Sequence, residues 1–171
     1  MFQIDYLFSR STITDCVALL ERLNMSDLLV LDNCSVCGYI FYMCSNLTRA
    51  PKIKITYTGT LKHTSTFANC SKLVTIEEFC VQKNHQYSTT FTNCTALENL
   101  NVTGTIGQNG FDVKSATKLT HDSLMSIINA LEDKSADTSG TTWKVTVGTT
   151  NLNKLTNEEK AIATAKGWTL A

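Results

Sequence analysis

One seven-residue pattern constrains this chain more than any other feature. Phe41-Tyr-Met-Cys44-Ser-Asn-Leu47 reads F-x-x-C-x-x-L, and Phe67-Ala-Asn-Cys70-Ser-Lys-Leu73 and Phe91-Thr-Asn-Cys94-Thr-Ala-Leu97 repeat it. Val113-Lys-Ser-Ala116-Thr-Lys-Leu119 is a degenerate fourth copy. The cysteine-type positions 44, 70, 94 and 116 are 26, 24 and 22 residues apart. One segment of that length cannot bury its apolar edge alone. Stacking equivalent coils sets Phe over Phe, Cys over Cys and Leu over Leu, so the expected architecture is a solenoid.

Each copy is followed by an apolar alternation that suits a strand with one buried face: Ile53-Lys-Ile55, then Ile76 with Phe79 and Val81, then Leu100-Asn-Val102. Gly59 and Gly104 supply turns after two of them. The coils are not uniform. Pro51-Lys52 precedes the first strand and Glu77-Glu78 stands where one spacer residue is expected, so both predict bulges. The fold class expected is α/β, with short parallel strands.

The ends differ from the middle. Residues 12–24 carry apolar positions at Ile13, Val17, Leu20 and Leu23, an amphipathic helix with Thr12 as its cap. Residues 120–133 predict a second helix capped by Thr120, with Leu124, Ile127, Ile128 and Leu131 on one face. A strand over 141–147, a helix opened by a Thr156/Glu159 capping box and stopped at Gly167, and a last strand over 168–170 complete the chain. The expected organisation is one domain over 1–171: an N-terminal helical cap over 1–27, repeats over 28–119 and capping coils over 120–171.

Composition narrows the function. Fifteen basic and fifteen acidic residues give zero formal net charge, which disfavours nucleic-acid binding by bulk positive charge. Thr, Ser and Asn number 26, 13 and 13, about 30% of the 171 residues, so the polar surface is built of hydroxyls and amides. The first ten residues lack the apolar run of a signal peptide, and the longest apolar run considered, 28–31, is far too short to insert into a membrane. Seven cysteines are an odd number for a disulfide framework. A position that takes Cys three times and Ala once wants a small buried side chain, so the repeat cysteines are expected to be structural thiols.

The three clean copies at 41–47, 67–73 and 91–97 resemble BspA-like leucine-rich repeats, and their periods lie within the roughly 20–29 residues of leucine-rich repeats in general. The tail from Lys118 to Ala171 is similar to the C-termini of such proteins in gut bacteria or their prophages. The resemblance covers about 28–119 for the repeats and 118–171 for the tail. It implies a recognition module at a bacterial surface or on a phage particle, not an enzyme.

Candidate chemistry is sparse. Cys34-Ser-Val-Cys37, with Cys44 and His63, invites a zinc reading, but Leu31–Cys37 also reads as a degenerate repeat copy. His63, His85 and His121 sit beside no nucleophile signature, so a Cys–His catalytic pair is not expected. Gly104-x-x-Gly107-x-x-Gly110 lacks a following phosphate-binding lysine and reads as a turn between coils. No catalytic residue, metal or cofactor is expected. The expected binding residues are the outward positions of the strands, Lys52, Lys54, Glu77, Asn99 and Asn101, with Tyr57 and Trp143 as possible aromatic contacts. The expected partner is a protein or glycan at an extracellular, cell-surface or virion-borne location, with no nucleic acid and no membrane insertion. The alternative is a spacer or cap of a larger surface or tail protein.

Overall fold

The computed structural model describes residues 2–3, 7–22, 28–31, 34–36, 38–63 and 65–171. In chain order the elements are β1 (Phe2–Gln3), α1 (Cys16–Arg22), β2 (Leu28–Leu31), β3 (Cys34–Val36), β4 (Arg49–Ala50), β5 (Lys52–Ile55), β6 (Leu61–Lys62), β7 (Thr75–Val81), β8 (His85–Gln86), β9 (Asn99–Gly104), α2 (His121–Asn129), β10 (Trp143–Val145), α3 (Thr149–Leu152), α4 (Asn157–Ala165) and β11 (Trp168–Leu170). Every strand pairing among them is parallel. The main sheet runs β2-β5-β7, with β4 and β9 also paired to β7. Two-stranded sheets join β6 to β8 and β10 to β11.

The heptapeptides occupy equivalent places. Phe41, Phe67 and Phe91 are fully buried, and their rings stack at 5.2 and 6.0 Å, within 8° of parallel. The third position of each motif turns the chain through left-handed backbone, at Met43 (φ 59°), Asn69 (φ 66°) and Asn93 (φ 58°). That turn lets Phe and Cys both face inward. Each thiol then donates to the carbonyl of the phenylalanine one coil earlier: Cys44 to Phe8 at 2.8 Å, Cys70 to Phe41 at 2.9 Å and Cys94 to Phe67 at 3.1 Å. In the fourth copy Ala116 has no donor, and the neighbouring Ser115 hydroxyl takes over the same bond, to Phe91, at 3.1 Å.

The same geometry reveals an earlier rung. Phe8 stacks on Phe41 at 5.2 Å, and Arg10 repeats the left-handed turn with φ 58°. Phe8-Ser-Arg10-Ser11 therefore precedes Phe41 in the seam. The reading of Leu31–Cys37 as a repeat copy is corrected: Cys34 pairs with Phe2 in β3, on a different sheet. The N-terminal helix is also shorter than expected. It starts at Cys16, and Asp15, not Thr12, caps it by accepting from the Ala18 N–H at 3.0 Å. Residues 23 and 24 of the expected helix lie outside the described residues.

The expected bulge at Glu77-Glu78 is present as a register shift against β9, whereas Pro51-Lys52 faces an interval of equal length in β7 and breaks the strand without a shift. Ala50 pairs Ile76 and Ile76 pairs Leu100, while Ile53 pairs Phe79 and Phe79 pairs Val102. Pro51-Lys52 and Glu77-Glu78 thus each span the interval that Asn101 spans alone. Pro51 has no N–H to donate and separates β4 from β5.

After β9 a helix replaces the strand. Ser123 and Ser126 of α2 present hydroxyls to the β9 edge. Each accepts from a strand N–H, of Leu100 at 2.9 Å and Val102 at 3.1 Å, and lies 3.1 Å from a carbonyl, that of Glu98 just before β9 and that of Leu100 within it. The sheet therefore ends without an open ladder on this side. Thr120 caps α2 as expected, and the Thr156/Glu159 capping box of α4 is formed. The expected 141–147 strand is confined to β10.

Two outcomes test this packing by urea unfolding. M43N places a residue that tolerates left-handed backbone at the one exposed apolar turn position, and raises stability by about 1 kcal/mol with an unchanged slope. The S123A/S126A double variant strands two β9 N–H groups and lowers stability by about 2–4 kcal/mol. A neutral double variant would contradict the helix-for-strand closure.

Candidate functional site

The outer face of the main sheet is a set of rows fixed by register. Arg49, Thr75 and Asn99 form one row and Lys54, Cys80 and Thr103 another. Their neighbours Ala50, Ile76, Leu100, Ile53, Phe79 and Val102 point the other way and are buried. Between the rows lie Glu77, Glu78 and Asn101, where the bulge sets two carboxylates opposite one amide.

Charge is knitted across this face. The Arg49 guanidinium reaches Glu77 at 3.1 Å and Asp15 at 3.5 Å, linking three successive coils. Glu78 accepts from the Thr103 hydroxyl at 2.8 Å. Beyond β9, His121 contacts Glu159 at 2.7 Å and Asp122 at 3.7 Å. The hydrogen bond and negative charge of Glu159 lift the His121 pKa above its ordinary value, with Asp122 adding to the effect.

A shallow recess of about 340 Å³ opens where β7, β9 and the start of α2 meet. Glu77, Asn99 and Asn101 line it together with Thr75, Thr120 and Asp122. Three of the five expected binding residues are thus brought together. Lys54 is exposed in the adjoining row, and Lys52 is half-buried on the same strand. The two aromatic candidates do not join them. Tyr57 is partly buried against the core, with its ring 6.3 Å from His85. Trp143 belongs to the β10–β11 sheet, donates to Asp137 at 2.6 Å, lies against Trp168 and is covered by the Lys134 ammonium. The recess residues Thr75, Thr120 and Asp122 are not among the expected binding residues. Thr75 and Arg49 were accessible from the sequence, since both stand two places after the motif leucine, as Asn99 does.

The recess offers hydroxyls, amides and carboxylates in one shallow surface. That chemistry suits a polar ligand held by several hydrogen bonds, with the side chains already positioned by the sheet. Burial pushes the Cys16 thiol up to about 11 and Cys94 up to about 12, and raises Cys44 and Cys70 as well. A thiol held protonated is a poor nucleophile and a poor metal ligand. Cys44 is bonded to Phe8 and His63 to His85, and Cys37 of the Cys34-to-Cys37 motif lies outside the described residues. Among the described residues no group of three or more His, Cys, Asp or Glu is placed to hold a metal ion. No helix among them is long and apolar enough to cross a membrane.

The glycine series at 104–110 serves packing between coils. A Cβ on Gly104 or Gly107 would collide with the Val81 or Lys83 carbonyl of the preceding coil, and Gly104 also has φ 85°. No protein-family model, no curated protein and no solved structure matches this chain.

Proposed function

We propose that the chain is a leucine-rich-repeat solenoid of the BspA-like kind and that the outer face of its main sheet is a non-catalytic recognition surface. The ligand is a protein or a glycan met at a bacterial surface or on a phage particle. One observation carries this reading: Glu77, Asn99 and Asn101, from two successive coils, line one recess on the same sheet face as Lys54. A stack of parallel strands repeats its outward positions at intervals of about 4.8 Å, which matches an extended polar ligand better than a small enclosed one. Recognition needs no cofactor.

A second reading, a spacer or terminal cap of a larger surface or tail protein, draws on the far end of the chain. There the Lys154 ammonium donates to the Thr117 and Leu119 carbonyls at 2.8 and 2.7 Å, and Asn151 donates to Ala116 and Val147 at 3.0 and 2.9 Å. These bonds occupy carbonyls that a further coil would otherwise use.

The two readings separate in a glycan and protein array screen followed by variants. The recognition reading expects a ligand whose affinity falls at least about tenfold in the K54A/E77A/N101A triple variant, with an unchanged melting temperature. A ligand bound equally well by the triple variant would refute this face as the site, and failure to bind anything displayed would favour the spacer.

A further inference from the structure

A second row of side chains runs through the interior, apart from the phenylalanine seam. It contains the only two fully buried histidines among the described residues. His63 follows β6 and His85 opens β8, which pairs with it; the His63 N–H donates to the Gln86 carbonyl at 2.8 Å, and the Thr90 hydroxyl donates to the His63 carbonyl at 2.7 Å. The ring of His63 stacks on Tyr87 at 4.7 Å, within 6° of parallel, and Tyr87 packs on Phe111 at 5.8 Å. In this row an imidazole stands where later coils carry a phenol and a phenyl ring.

The two imidazoles touch through nitrogen. His63 Nε2 and His85 Nδ1 are 2.9 Å apart, while His63 Nδ1 and His85 Nε2 are buried without a hydrogen-bond partner. Two neutral rings carry two protons. One sits in the shared bond. The other sits on an outer nitrogen, and neither outer nitrogen closes a hydrogen bond in either tautomer arrangement. Another proton would make an imidazolium in this dry place.

Among the described residues no ionised group compensates it, and only the Tyr57 and Gly59 backbone favours the charged form of His85. The ionisable groups against the rings among the described residues are Tyr57, before β6, and Tyr87, after β8, with exposed Lys62 and Lys83 flanking in sequence. The Tyr87 hydroxyl is occupied, accepting from the Gln82 N–H at 2.8 Å. Among the described residues no carboxylate is hydrogen-bonded or ion-paired to either ring. Burial, reinforced by His85, lowers His63 to about 3, and burial also lowers His85.

We propose that the His63–His85 pair is an acid-opened latch. Neutral, it closes the β6–β8 edge of two successive coils; protonated, it releases that edge while the phenylalanine, cysteine and leucine seam stays shut. The direction follows from linkage. The opened rings bind protons with an ordinary imidazole pKa near 6.5, and the closed rings do not. The latch is therefore fully closed above about pH 6.5, and weakens as the pH falls from there toward the closed-state value. Opening becomes up to about tenfold easier for each pH unit and each proton taken up. This inference does not depend on the recognition surface, because neither histidine lines the recess.

Hydrogen exchange of the intact chain between pH 7.5 and 5.0, corrected for intrinsic rates, tests it. Amides at 61–63 and 85–87 lose at least about tenfold in protection, while those at 67–73 and 91–97 keep theirs. H63F, which continues the aromatic row, and H63Q, which cannot be protonated, both reduce the loss. Nitrogen NMR of the wild-type imidazoles, needing no variant, finds both rings neutral at pH 6. Equal loss of protection in both sets of amides, an acid response unchanged in both variants, or either ring titrating near 6.5 in the closed protein would overturn the latch.

Discussion

The hydrogen bond from each motif thiol to the phenylalanine carbonyl one coil earlier holds the rest of the structure in phase. It requires the left-handed turn at the third motif position, which aims the thiol inward. It also requires the coil below to present its carbonyl at the same height. Ring stacking of Phe8, Phe41, Phe67 and Phe91 then follows from the same alignment. A thiol bond contributes little alone, about 1 kcal/mol or less, since each phenylalanine carbonyl also accepts the N–H three residues on, but it recurs at every rung and ties each coil to the one before. Ser115 shows the rule by its exception: where the cysteine is lost to Ala116, the adjacent hydroxyl supplies the same bond.

This division of labour leaves the outer face free to vary. The inward residues of β5, β7 and β9 stay apolar and buried, while the outward ones change charge and chemistry from coil to coil. Arg49 becomes Thr75 and then Asn99; Lys54 becomes Cys80 and then Thr103. A surface can diversify in this way only when the backbone beneath it is fixed by other residues. The recess opens beside the register shift where Glu77-Glu78 stands against Asn101.

Much of the seam was legible in the sequence because its residues repeat in kind. Phe, Cys and Leu at fixed offsets marked the rungs, Glu77-Glu78 marked the bulge, and Thr156 with Glu159 marked a helix start. The first rung was not legible, because Phe8-Ser-Arg10-Ser11 replaces the cysteine and lies 33 residues before Phe41, outside the period of the others. The true cap of α1 was missed for a related reason: Thr12 and Asp15 both suit an N-cap, and only the bridge between Asp15 and Arg49 decides between them. Three of the five proposed surface residues converge because strand alternation predicts which side chains point outward. Thr120 and Asp122 were hidden, since no periodicity indicates that a helix takes the place of a strand beside β9. The histidine pair was hidden differently. His63 and His85 stand 22 residues apart, a repeat interval, but they lie outside the motif that drew attention.

The most direct test of the stacked seam is a crystal structure phased on the anomalous scattering of the native sulfur atoms. The account predicts the sulfurs of Cys44, Cys70 and Cys94 in a line at intervals of about 5 Å, each unoxidised and beside a phenylalanine carbonyl of the preceding coil. Sulfurs scattered without that spacing, joined in a disulfide, or gathered around a metal ion would contradict it.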